Sequence, residues 1–290
     1  MTGFVHPEYL VETDWLAQNV NNPDVVVLDC TTHLIPDPKI TYQVKPDRDG
    51  FEAGHIPNAQ FVDMLRDVSD TSQQLRFMRQ SPEDFAAAMR RFGVSNRTRV
   101  VSYSTANVQW ATRLWWLLHE FGHDNAAVLN GGWQKWQHEG RAVESGPAKA
   151  RNAGDFTVRQ VRNLMVGKDE VLRAIGDGAV CTINALQPQQ HAGTGGNAYG
   201  RPGRIAGSVN LPASHLLDPA TNAFLPADEL RSRFEAVGAM DKRVINYCGG
   251  GIAASADALA LIMLGHKDVK LYDASLSEWA KDPALPMETG

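Results

Sequence analysis

The chain repeats itself once, and that repetition constrains its fold more than any other property. "PDVVVLDC" at 23–30 answers to "GAVCTINA" at 178–185, and "GHIPNAQF" at 54–61 answers to "GRIAGSVN" at 203–210. "RFGVSNRTRVVSYS", ending at Ser104, then matches "AVGAMDKRVINYC", ending at Cys248. Each copy closes on a tryptophan, "FGHDNAAVLNGGWQKW" at 121–136 against "LGHKDVKLYDASLSEW" at 264–279. Order and spacing imply two homologous domains, one over 1–143 and one over 157–290. The stretch 144–156 between them is rich in Gly, Pro and small polar residues and reads as a linker.

Within each copy, short β-branched runs alternate with longer helical patterns, the signature of parallel strands joined by crossover helices. The expected fold class is therefore α/β, two tandem domains, each a mainly parallel sheet with helices on both faces. In the second copy the pattern predicts strands near 179–184, 208–211, 243–247 and 269–272. Helices are expected over 168–176, 227–237 and 253–264, the last capped at Gly265.

Cys248 falls between the strand "RVINY" and the helical run "ASADALALIML", with Gly249, Gly250 and Gly251 directly after it. Ligands of open α/β sheets bind at this carboxyl edge of the strands. A helix N-terminus leaves N–H groups unpaired and favours an anion, and glycines let backbone amides approach one atom closely. Cys248 is thus the candidate nucleophile, in a loop of Gly249, Gly250, Gly251, Ile252 and Ala253 suited to an anionic sulfur. Cys30 and Cys181 lie in apolar runs without such a loop and read as core residues. In the first copy Ser104 occupies the place of Cys248, followed by Thr105 and Asn107, a set suited to capping a helix rather than to chemistry.

Composition narrows the remaining classes. With 28 Lys and Arg against 33 Asp and Glu the net charge is −5, without a basic block, so neither nucleic acid nor an anionic membrane is an expected partner. The chain shows no apolar run of membrane-spanning length and no secretory leader, and it reads as cytoplasmic. Three widely separated cysteines make neither a disulfide framework nor a zinc spacing, so free thiols are expected and no metal or cofactor is called for.

Duplication, "GHIPNA" in one copy, "LNGGWQKW" closing it and "YCGGGIAA" in the second copy alone together resemble the two-domain rhodanese family of sulfurtransferases. The resemblance runs from about Val11 to Gly290. It implies that Cys248 takes a sulfane sulfur from a small donor, 3-mercaptopyruvate or thiosulfate, and holds it as a persulfide. Cyanide, a thiol or a thioredoxin-like protein would then be the acceptor. Small neutral residues after the cysteine, as in "CGGGIA", are closer to the mercaptopyruvate pattern of that family. The resemblance also implies that Asp63, in "HIPNAQFVD", matches an aspartate of a proton relay and contacts the site from the first domain, although Gly250 stands where the relay has serine. The arginines that hold the donor in the family are missing, since Asn184, Leu186 and Gln190 occupy that region. Arg201 and Arg204, in "YGRPGRIAG", are the nearest candidates for binding the anionic donor.

Other readings are weaker. A phosphatase loop of this shape needs arginine six residues after the cysteine, where Ala254 stands. A cysteine hydrolase needs a positioned histidine, for which His191, His215 and His266 are the nominal candidates. The glycine-rich "GTGGNAYGRP" at 193–202 lacks the Lys-Ser/Thr of a phosphate loop. The alternative from a different class is a non-catalytic rhodanese-like binding or regulatory module.

Overall fold

Five short strands line up in the same order twice. A computed structural model describes residues 3–37, 41–105, 107–196 and 198–290. The elements of the first copy are β1 (Leu10–Val11), α1 (Thr13–Asn19), β2 (Val25–Asp29), β3 (Thr32–Asp37), β4 (Thr41–Pro46), α2 (Arg48–Ala53), β5 (Gln60–Phe61), α3 (Pro82–Arg91), β6 (Arg99–Tyr103), α4 (Val108–Glu120), β7 (Ala126–Leu129) and α5 (Gly132–His138). The second copy holds β8 (Met165–Val166), α6 (Lys168–Ala174), β9 (Val180–Asn184), α7 (Pro188–Ala192), β10 (Arg204–Ile205), β11 (Val209–Asn210), α8 (Ala227–Ala236), β12 (Arg243–Tyr247), α9 (Ala254–Met263), β13 (Val269–Tyr272), α10 (Ser275–Trp279) and β14 (Met287–Glu288).

The first sheet runs β1-β7-β6-β2-β5 and the second β11-β9-β12-β13-β8, which is the same order read from opposite edges. Every pairing within these two sheets is parallel. Strands of this kind are covered on both faces and need continuous apolar runs, and all five residues of β2 are buried, including Asp29. The repeated landmarks have one structural cause. Tyr103 Oη accepts the Ile56 N–H at 3.3 Å, and Tyr247 Oη accepts the Ile205 N–H at 3.0 Å. "GHIPNA" and "GRIAGS" are therefore the loops that the terminal tyrosines of β6 and β12 hold against the central strands.

The predicted strands and helices of the second copy agree with the structure to within one or two residues, and Gly265 takes the left-handed conformation at φ +87°. Five shorter elements carried no readable pattern: β8, α7, α10 and the paired β10 and β14. In the first copy, β3 and β4 form an antiparallel ribbon inserted after β2.

The chain divides into two compact units, one of residues 8–162 with 219–224, the other of residues 1–7, 163–218 and 225–290. Residues 144–156 belong wholly to the first unit. His55 and Glu144 exchange backbone hydrogen bonds at 2.8 and 3.0 Å, and the Gly154 N–H reaches the Arg90 carbonyl at 2.9 Å. Phe156 is buried at 1% exposure, with its ring edge on Phe85. A stretch whose composition suits a linker is thus packed, and the break along the chain falls after Arg162.

Candidate active site

Cys248 follows the last residue of β12, the middle strand of the second sheet, and its side chain is buried at 2% exposure. The loop of residues 249–253 then leads into α9, whose body is buried on almost every side. Three elements converge here because the parallel strand, the glycine turn and the helix are consecutive in sequence. The fourth participant, α10, comes from further along the chain.

Ser275 Oγ accepts the N–H of Cys248 at 3.1 Å and that of Gly251 at 3.2 Å, while donating to the Tyr272 carbonyl at 2.7 Å. Ser275 adopts φ +51°, a left-handed conformation that costs a non-glycine residue roughly 1–2 kcal/mol. The next residues continue the attachment. Leu276 N–H donates to the Cys248 carbonyl at 3.2 Å, and both the N–H and Oγ of Ser277 donate to the Gly249 carbonyl, at 2.9 and 2.7 Å. The loop is therefore fixed by five hydrogen bonds to residues 275–277.

The expected cradle of amides is partly redirected. Gly251 N–H is committed to Ser275, whereas the amides of Gly249, Gly250, Ile252 and Ala253 have no protein acceptor among the described residues. Unpaired amides at the start of a ten-residue helix are the groups that accommodate an anion. The three glycines have three different grounds. Gly251 has φ +74°. A Cβ on Gly249 would overlap the Cε1, Cζ and Oη atoms of Tyr199. A Cβ on Gly250 would meet only Ser277 Oγ, at 3.8 Å, so neither space nor backbone demands glycine there.

The guanidiniums of Arg201 and Arg204, the candidates for binding the anionic donor, are both engaged by the chain itself. The Arg201 guanidinium donates to the carbonyls of Trp279 (3.2 Å), Ala280 (3.3 Å), Asp282 (2.5 Å) and Leu285 (2.9 Å). Arg204 donates to the Gly290 carbonyl at 2.6 Å and pairs with Glu288 at 3.4 Å. Both side chains tie the segment after α10 to the loop that carries them, because charge-assisted bonds to several carbonyls satisfy a planar guanidinium well. Asp63 is likewise engaged inside its own unit, its Oδ1 accepting the N–H groups of Leu65 at 3.0 Å and Arg66 at 3.1 Å.

Asn184, at the end of β9, uses its side chain locally. Its Oδ1 accepts the Leu186 N–H at 3.0 Å, and its amide donates to His191 Nδ1 at 3.2 Å. Burial first, and then the nearby Arg204 charge, depress the His191 pKa to about 4. The other cysteines behave as core residues. Cys30 is fully buried and Cys181 is 6% exposed, and burial pushes both thiols up. In the first copy Asn107 is the residue that caps α4, accepting the Gln109 N–H at 2.8 Å. No group of three or more His, Cys, Asp or Glu suited to a metal ion occurs among the described residues. Among the same residues, no helix is long and apolar enough to cross a membrane.

Fold and site together define a tandem α/β protein with one cysteine-centred loop, in its second copy. The profile of the rhodanese-like domain matches residues 12–139 and 168–282. The chain is 31% identical to the 3-mercaptopyruvate sulfurtransferase of Escherichia coli, over 97% of this chain and 98% of that one. It is 32% identical to the mitochondrial thiosulfate/3-mercaptopyruvate sulfurtransferase 1 of Arabidopsis thaliana, over 97% and 78%, and 31% identical to the sulfur carrier protein TtuD of Thermus thermophilus, over 99% of each. Among solved structures, the E. coli 3-mercaptopyruvate sulfotransferase SseA superposes with TM-score 0.81 at 29% identity, covering 92% of this chain and 98% of that one. The chain belongs to the rhodanese family.

Proposed function

We propose that this rhodanese-type sulfurtransferase carries sulfur as a persulfide on Cys248, taken from 3-mercaptopyruvate or thiosulfate and delivered to cyanide or a small thiol. One observation carries the reading: a buried cysteine at the end of the central strand, followed by four loop amides without protein acceptors at a helix N-terminus. With 3-mercaptopyruvate, the Cys248 thiolate attacks the donor sulfur and the C–S bond breaks. Its electron pair leaves as the pyruvate enolate, which takes up the proton that the donor thiol gives up. The persulfide that remains is anionic, and the loop amides suit its terminal sulfur. Cyanide attacks that sulfur, leaves as thiocyanate and returns the Cys248 thiolate. The names of the relatives support both donors, and the small neutral residues after Cys248 favour 3-mercaptopyruvate.

Intact-mass measurement after incubation with each donor tests this. The expected result is a gain of one sulfur atom that cyanide removes and that Cys248→Ser abolishes. No gain with either donor overturns the reading and leaves the chain a non-catalytic rhodanese-like module.

A further inference from the structure

Gly249 has an ordinary backbone conformation, so its lack of a side chain answers to a neighbour, and that neighbour is Tyr199. The phenol end of this partly buried tyrosine rests on the Cα of the residue directly after the nucleophile. Its backbone is held just downstream. Gly200, at φ +130°, brings its Cα so close to the Ala280 carbonyl that a Cβ would lie 2.8 Å from the oxygen. The Arg201 N–H donates to the same carbonyl at 3.1 Å, beside the four guanidinium bonds described above. Arg204 and Ile205 then pair with Glu288 and Met287 as an antiparallel ribbon. The Cys248 loop hangs on residues 275–277 and the Tyr199 loop on residues 279–288, consecutive parts of one segment. The ring and the nucleophile are thus set on one frame.

We propose that Tyr199 is the specificity-determining residue of this site: its phenol end narrows the approach to the sulfur on Cys248 and admits slender nucleophiles in preference to bulky ones. The proposal rests on the sulfurtransferase reading for its substrates, but the wall itself is a steric property of the folded unit. A single methylene in a close-fitting pocket discriminates by roughly 10- to 200-fold, so removal of a whole ring is a large change. Arg201 acts on the same property as a positioning residue, because it pins the chain two residues beyond the ring.

Two measurements on the full chain decide the matter, with Cys248→Ser identifying the modified thiol by intact mass. The first is the rate of Cys248 alkylation by iodoacetamide relative to a bulky N-aryl maleimide. The second is kcat/KM for glutathione relative to cyanide as acceptor. Tyr199→Ala is expected to shift both ratios toward the larger reagent by about tenfold or more, whereas Tyr199→Phe, which keeps the ring, holds them within about twofold. Ratios in Tyr199→Ala that match the wild type within about twofold overturn the proposal. If that variant does not fold, Tyr199→Leu is read by the same criteria. The alkylation ratio needs no sulfur donor. Absence of a persulfide in the wild type therefore sinks the functional reading alone, while a persulfide with unmoved ratios sinks the role of Tyr199 alone.

Discussion

Ser275 bridges the two ends of the Cys248 turn, its Oγ lying 3.1 Å from the Cys248 amide and 3.2 Å from that of Gly251. The hydroxyl is buried and sits in a left-handed residue, so it is retained at a conformational cost. Such an arrangement makes the loop a preformed object rather than one assembled around its ligand.

Ser275→Ala leaves two buried amides without their acceptor and is expected to cost about 1–3 kcal/mol of stability. It is also expected to slow persulfide formation by roughly tenfold to a hundredfold, because the nucleophile loses its register. Ser275→Gly loses the same bonds but relieves the φ +51° conformation, so it should be about 1 kcal/mol more stable than the alanine variant and equally slow. Denaturant midpoints and single-turnover rates for the pair check this. Equal stability of the two variants would show that the conformation at Ser275 is unstrained.

The three glycines should rank by their separate grounds. Gly250→Ala is expected to change stability by no more than about 0.5 kcal/mol, since its Cβ meets open space. Gly251→Ala should cost about 1–2 kcal/mol through its left-handed backbone. Gly249→Ala should cost about 1–3 kcal/mol by overpacking against Tyr199, and Tyr199→Ala in the same chain should recover much of that loss. Thermal unfolding of the three single variants and the one double variant checks the order.

Two groups of the second unit, the buried Asp257 and the half-buried His191, give opposite pH dependences. Asp257, in α9, is fully buried with both carboxylate oxygens unpaired, and burial pushes its pKa well up. The folded state then holds a proton that the unfolded chain releases above about pH 4, so this group's contribution falls as pH rises from there. Asp257→Asn is expected to stabilise the unit at pH 7–8 (about neutral and above) and to remove that slope. His191 is the reverse case: its folded pKa lies near 4 against an ordinary 6.5, so its contribution is full above 6.5 and is lost as pH falls toward 4. Protonation would also end its acceptance of the Asn184 amide, and His191→Gln should flatten this acid limb. Hydrogen exchange of the β12 and α9 amides, followed against pH, separates the two effects.

The duplication made most of the architecture legible, because strands buried on both faces must be apolar and must recur at the same spacing in both copies. The place of Cys248, between the end of a strand and the start of a helix, was legible for the same reason: the equivalent turn in the first copy does without glycines, and Asn107 caps its helix. The surroundings of Cys248 were not. Ser275 and Tyr199 lie 27 and 49 positions away in sequence and meet the loop through a hydroxyl and the end of a ring, which leaves no periodic trace. Arg201 and Arg204 looked like anion ligands because their charges stand in a glycine-rich loop. In the structure Arg201 bonds four main-chain carbonyls, to which any sequence could contribute, and Arg204 bonds the Gly290 carbonyl and the Glu288 carboxylate. The stretch 144–156 was misjudged on composition, since small residues serve close packing, as at Gly154 against Val94, as readily as flexibility.

The bonds from Arg201 have a consequence for how this protein comes into being. The guanidinium and the Leu285 carbonyl that it holds are 84 residues apart in sequence. During synthesis the loop bearing Tyr199 emerges long before the segment that fastens it, and Cys248 appears in between, before Ser275 exists to brace its turn. A nascent chain therefore carries Cys248 before its turn is set, and the geometry on which the proposed chemistry depends arrives late, with closure of long-range contacts rather than with translation of the cysteine.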